Sequence, residues 1–129
     1  NHPKGTTTKE YLEIEDLDNE ELTTFFDLDP KGIEFVFNLN FLGTLLPCQQ
    51  FSKDMINKEG ATIINISSMN AFTPLTKIPA YSGAKASVSN FTQWVLELTQ
   101  WHQDFLLLLK IKDYYLTKME HLLQEATKF

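Results

Sequence analysis

Residues 60–94 read GATIINISSMNAFTPLTKIPAYSGAKASVSNFTQW. Ala61 to Ile66 is rich in β-branched residues and almost continuously apolar, the pattern of a central strand of a parallel sheet with both faces covered. The strand runs into Ser67-Ser68 and a loop holding Pro74 and Pro79. From Ala80 to about Trp94 the residues suit a helix, small on one side (Ala84, Ala86) and bulkier on the other (Val88, Phe91, Trp94). Upstream, Asp29-Pro30 is a helix start, with a capping carboxylate and then proline at the first helical position. The apolar run from Ile33 to Met55 follows. It is apolar on more than one face, which predicts a largely buried helix, kinked or interrupted at Pro47 and ended by Lys58-Glu59-Gly60. Helix, strand, loop, helix is the order of an α/β layer fold, in which ligands sit at the carboxyl ends of the strands. Ser68 lies at such an end.

The flanks are less regular. Residues 1–29 carry nine of the seventeen acidic residues and read mainly as solvated surface. His2-Pro3-Lys4-Gly5 and three threonines form a loop, and Asp18 to Phe26 allows a short helix capped by Asp18. Residues 95–129 contain no glycine or proline, and propensity predicts a helical tail.

Composition narrows the function. A chain of 129 residues suffices for one core. The net charge of −6 leaves no basic face for nucleic acid. Phe105 to Leu109, the longest greasy run, is far too short for a membrane span, and no signal peptide is indicated. Cys48 is the only cysteine, which rules out an intramolecular disulfide and fits a reducing, cytoplasmic setting. Asn1 stands where an initiator methionine would, so a processed product or a fragment is expected.

Three signals carry chemistry. Tyr81 and Lys85 are four residues apart on the predicted helix and share a face. A cation beside a phenol stabilises the phenolate and suits the phenol to acid/base work. Ser68, thirteen residues before Tyr81, places a hydroxyl where a substrate oxygen would sit. Asn40 is a polar amide inside the buried helix and must find partners there. Taken singly, each is more often structural: a surface pair, a turn serine, an amide bonded across the core.

Together they resemble the short-chain dehydrogenase/reductase family: an Asn-x-x-Gly (Asn40 to Gly43), a strand ending in a serine pair, then Tyr-x-x-x-Lys. The resemblance implies the second half of a Rossmann-like, doubly wound parallel sheet, with NAD or NADP as cofactor. It implies Tyr81 as proton donor and acceptor, and Ser68 as the residue orienting the reacting oxygen. Lys85 would assist Tyr81 and bind the nicotinamide ribose with it, and Asn40 would support a water leading to Lys85. FFDLDPKGIEFVFNLNFLGTLLPCQQF (residues 25–51), residues 60–94 and the opening NHPKGTTT are similar to the sugar-acid branch usually called D-mannonate oxidoreductases. That implies interconversion of D-mannonate and D-fructuronate, with His2, Lys4 or Lys77 as cations for the carboxylate, and a homo-oligomer paired through the family's fourth and fifth helices.

The resemblance covers residues 1–94, expected to be a partial catalytic region. Residues 95–129 depart from it. The codons straddling Trp94-Val95, Trp101-His102 and Met119-Glu120 must read Gly, Ala and Gly in a shifted frame, where the family pattern needs them. The tail is therefore expected to be a frame-shifted or mis-spliced translation, its helical look accidental. Two alternatives stay open: an inactive fragment serving as an interaction module, and a small α/β binding domain that keeps the motif. No glycine-rich turn to cradle a pyrophosphate occurs in the sequence. Calorimetric titration of the 129-residue polypeptide with NADH and NADPH should accordingly show no micromolar binding.

Overall fold

The computed structural model describes residues 2–55, 58, 60–99 and 106–110. Its order is helix α1 (Pro30–Phe37), a π-helical turn (Asn38–Leu42), helix α2 (Gly43–Met55), strand β1 (Thr62–Ile66), helix α3 (Pro79–Thr99) and strand β2 (Leu106–Lys110). β1 and β2 pair in parallel, with Thr62 opposite Leu106 and Ile66 opposite Lys110. A parallel pair needs a crossover, and α3 supplies it, making β1–α3–β2 a βαβ unit.

α3 carries the core. Ala80, Ala84, Val88 and Thr92, each four residues from the next, are buried. Val36 of α1 packs on Ala80 and Ala84, with Ile33, Phe37 and Tyr81 around them. The hydroxyls on α3 tolerate burial because they bond back one turn: Ser82 to the Ile78 carbonyl, Ser89 to Lys85, Thr92 to Val88. Asn65 is the buried residue of β1; its amide donates to Thr92 Oγ1 at 3.0 Å and its oxygen accepts from Cys48 Sγ at 3.4 Å. One polar side chain thus ties the strand to α2 and α3. Burial pushes the Cys48 thiol pKa up.

Asp29 and Pro30 cap and begin α1 as expected, with the Asp29 carboxylate accepting the Lys31 N–H at 2.9 Å. Gly60, at φ 73°, turns the chain into β1 where a side chain would be strained. A Cβ on Gly32 would lie 2.6 Å from the Lys4 carbonyl carbon, so glycine is required where α1 crosses the N-terminal segment.

Five expectations are corrected. Residues 18–26 do not form a helix; 3-10 turns cover Ile14–Asp18 and Phe25–Asp27, because Asp16 and Asp27 bond back to Glu13 and Thr24 and close short turns instead. The long helix is not largely buried, since Phe35, Leu39, Leu46 and Phe51 are half or more exposed, and its break falls at Asn38–Leu42, one turn before Pro47, which lies inside α2. β1 is not covered on both faces: Ile63, Asn65 and Ser67 turn toward the helices, whereas Ile64 and Ile66 are more than half exposed. Of the expected helical tail, residues 95–99 are helical, but Leu106–Lys110 is a strand, since pairing with β1 outweighs the helix propensity of leucine. The expectation for residues 100–105 and 111–129 lies outside the described residues.

The N-terminal segment is held by carboxylates. The Lys9 ammonium lowers the Asp16 pKa, aided by the Glu13 N–H; the Thr24 hydroxyl and N–H lower that of Asp27; the Lys31 N–H and the Lys4 ammonium lower that of Asp29. Depressed carboxyl pKa values mean that this stabilisation is present above the unfolded value of 3.8 and lost as pH falls through the folded values. An acid titration followed by NMR should therefore loosen residues 6–29 below about pH 4 before α3 unfolds, and Asp16→Asn should flatten that limb.

Candidate active site

β1 ends at Ile66, and the next two residues face different surroundings. Ser67 is buried; Ser68 is half-exposed and caps the 3-10 turn Met69–Ala71, its Oγ accepting the Asn70 N–H at 3.3 Å. That bond uses a lone pair of the hydroxyl and leaves its proton free to donate. The turn packs on α3. The loop then reaches Pro79, which opens α3 with the fixed φ that suits a first turn.

Tyr81 lies in that first turn, half-buried against the core cluster. Lys85 follows one turn on. Its Nζ sits 5.7 Å from the centre of the Tyr81 ring and donates to the Ile66 carbonyl oxygen at 2.9 Å. Burial lowers the Lys85 pKa from its ordinary value. The phenol, the ammonium and the Ser68 hydroxyl thus belong to elements meeting at the carboxyl end of β1, where a ligand of an α/β fold is received.

Asn40 lies in the π-helical turn between α1 and α2. The Gly43 N–H reaches back five residues to the Asn38 carbonyl, while Asn40 Nδ2 donates to the Val36 carbonyl at 2.9 Å and Thr44 Oγ1 donates to the Asn40 carbonyl at 2.8 Å. Asn40 and Lys85 line one cleft of about 390 Å³, together with Ile66, Cys48 and Phe51. A π-turn inside an α-helix is a frequent mark of a functional site.

The three cations proposed for a carboxylate are not in this cleft. His2 packs its ring on Phe35, 5.1 Å between centroids, and its Nδ1 accepts the Lys4 N–H. Lys4 pairs with Asp29 at 3.0 Å. Lys77 is half-buried in the loop before α3, where its carbonyl accepts the Thr7 N–H at 3.0 Å. Two features escaped the sequence reading: the Ser67–Ser89 hydroxyl pair beside Lys85, and the Ile66 carbonyl that receives its ammonium. The signal for the first was available, because Ser89 stands four residues after Lys85 and Ser67 adjoins Ser68.

The family model for short chain dehydrogenases matches residues 19–102, well over half of the chain. The chain belongs to the short-chain dehydrogenase family. An uncharacterised oxidoreductase of Haemophilus influenzae is 72% identical over 95 residues, which are 74% of this chain and 33% of that protein. The oxidoreductase UxuB of Bacillus subtilis, also uncharacterised, is 45% identical over 95 residues, again 74% of this chain and 33% of its own length. A crystal structure from Haemophilus influenzae, named for a D-mannonate oxidoreductase and holding NAD, superposes with a TM-score of 0.76 and 58% identity, covering 86% of this chain and 39% of that one. This short-chain dehydrogenase chain therefore spans about a third of the length of the curated relatives it matches. Among the described residues no helix is long and apolar enough to cross a membrane.

Proposed function

We propose that residues 1–94 form the catalytic part of a cytoplasmic, NAD(P)-dependent oxidoreductase that interconverts a hydroxyl and a carbonyl on a sugar acid of the mannonate/fructuronate type. One observation carries the reading: the Lys85 ammonium lies 5.7 Å from the centre of the Tyr81 ring, at the strand end that also bears Ser68. The likeness to an NAD-bound structure named for a D-mannonate oxidoreductase supports the cofactor and the substrate class. On this reading residues 95–129 are a tail that carries no catalytic residue, although 95–99 complete α3 and 106–110 pair with β1.

The residues present fit the ribose side of a nicotinamide cofactor. Lys85 has three N–H donors and gives one to Ile66, so two remain for the vicinal hydroxyls of a ribose. When bound, the cofactor supplies or accepts the hydride. Ser68 donates its free proton to the substrate oxygen and fixes the carbonyl in place. Tyr81 gives its phenolic proton to that oxygen as it becomes a hydroxyl, or takes it back in the oxidative direction. The Lys85 charge beside the ring stabilises negative charge on the phenol oxygen during the transfer. Asn40, on the wall of the same cleft as Lys85, supports a water leading toward the ammonium. Lys77, in the loop leading to α3, stands in reserve as a cation for the substrate carboxylate, as do His2 and Lys4 once released from their local partners.

The partner we propose is a second copy of the chain. Phe91 stacks on Trp94 and meets Phe41 edge to face, both with centroids 6.3 Å apart. Ala86, Ser87 and Asn90 complete this aromatic face, and Trp94 is 56% exposed. An apolar patch of this kind on a helix pair suits a self-complementary contact.

The reading is tested in a chimera in which residues 1–94 replace the matching stretch of the Haemophilus relative, with fructuronate reduction followed by nicotinamide absorbance. Tyr81→Phe should lower kcat by about 10²–10⁴ and leave NADH affinity largely intact, whereas Lys85→Met should lower both. Retention of more than about a tenth of the activity in Tyr81→Phe would remove Tyr81 from the acid/base role. In the same chimera Trp94→Glu should shift the molecule to a smaller assembly in sedimentation velocity.

A further inference from the structure

Two successive residues at the end of β1 grip the two ends of Lys85. The Ile66 carbonyl oxygen accepts its ammonium at 2.9 Å. Ser67, only 4% exposed, places its Oγ 3.3 Å from the Lys85 carbonyl oxygen and 2.5 Å from Ser89 Oγ. Ser89, one turn after Lys85 and 5% exposed, reaches the same carbonyl at 3.1 Å. Two hydroxyls hold two protons. Either both go to the Lys85 carbonyl, or one goes there and the other bridges the pair; both arrangements fasten the Lys85 backbone to the strand.

Packing alone does not call for this pair. Elsewhere on α3 the buried positions Ala80 and Ala84 do the same spatial job with methyl groups. A matched pair of buried hydroxyls adds little net stability over two apolar groups of the same shape, because each hydroxyl gives up water to be buried. What the pair does add is a fixed address for one residue. Lysine carries four rotatable bonds, and an ammonium held only at its tip would swing with any sliding of α3 along β1.

We propose that Ser67 and Ser89 are positioning residues for Lys85, holding its backbone on the strand end so that its ammonium stays over Tyr81 with two donors directed at a bound ribose. This rests on the reading of Lys85 as a cofactor-binding residue. Three consecutive strand-end residues then divide the work: Ile66 takes the ammonium, Ser67 the backbone of the same lysine, and Ser68 the substrate oxygen.

The test uses the active chimera described above, with Tyr81→Phe as the control for the underlying reading. In the double variant Ser67→Ala/Ser89→Ala, Tm should stay within a few degrees of the parent while the Kd for NADH rises about tenfold and kcat falls by a similar factor. The substrate KM should change by less than about twofold, since neither hydroxyl touches substrate. Ser89→Thr keeps a hydroxyl that can bond back to the Lys85 carbonyl, as Thr92 does to Val88, and should retain the parental Kd. If the double variant keeps both Kd and kcat while Tyr81→Phe is dead, the positioning role fails and the proposed function stands. If Ser89→Thr is as impaired as the double variant, the hydroxyl is not the cause and the proposal is likewise overturned. If Tyr81→Phe remains active, the fault lies in the proposed function instead.

Discussion

The close seating of α3 is the constraint on which the rest depends. Its buried row, Ala80, Ala84, Val88 and Thr92, repeats every four residues and is small enough to bring the helix axis near both α1 and β1. Ala84, Val88 and Thr92 are fully inaccessible to solvent. A row displaced by one residue lies about 100° further round the helix. That neighbouring row is Tyr81, Lys85 and Ser89, the residues that meet the end of β1. The phenol and the ammonium are therefore aimed by the same contact that forms the core, and a larger residue at Ala84 would displace them together. Gly83 belongs to the same fit, since a Cβ there would come within 3.3 Å of the Phe37 ring.

Polar groups inside this small core have a positional function. Asn65 is an unusual occupant of a strand otherwise made of isoleucine and threonine, yet it is 4% exposed. Its amide joins Cys48 of α2 to Thr92 of α3 through β1. Sliding α3 by one residue would break the bond to Thr92 and leave a buried amide N–H without an acceptor, at a cost of about 1–3 kcal/mol. Apolar contacts between small residues would tolerate such a slide far better, because they are not directional. The Asn65 bonds and the Ser67–Ser89 contact lie on the same side of β1, two residues apart, and both oppose the motion that would misalign Lys85 with Tyr81.

Much of this was legible in the sequence because it depends on local chemistry. The Asp29-Pro30 start, the strand expected at Ala61–Ile66 and found at Thr62–Ile66, the helix expected from Ala80 and found from Pro79, and the shared face of Tyr81 and Lys85 all follow from caps and periodicity. The errors arose where a distant partner decides. Leucine-rich residues 106–110 read as helix until a strand edge is available to pair with them. The apolar run Ala61–Ile66 reads as covered on both faces, since apolarity reports what a strand wants to bury and not what this length of chain supplies. Ile64 and Ile66 remain 55% and 63% exposed beside it. The Ser67–Ser89 pair is a related case: the spacing of each serine hints at it, but residues 22 positions apart meet only after the helix has folded back on the strand.

The misplaced kink shows how such a local rule can point to the wrong residue. Pro47 removes one N–H, so the Gly43 carbonyl lacks its usual partner four residues on. The helix nevertheless continues through Pro47, and the irregular turn sits at Asn38–Leu42 instead. There the backbone widens to a five-residue reach, and two side chains take up the slack: Asn40 donates to the Val36 carbonyl, and Thr44 to the Asn40 carbonyl. The disturbance is not fixed to the proline, although Pro47 lines the same cleft. Asn40 and Thr44, with hydrogen-bonding side chains one turn apart, allow it to form at the wall of the cleft that also holds Lys85. A widened turn with its carbonyls supplied by side chains costs the helix little, and it presents backbone and amide polarity to a cavity that an unbroken α-helix would face with sealed hydrogen bonds.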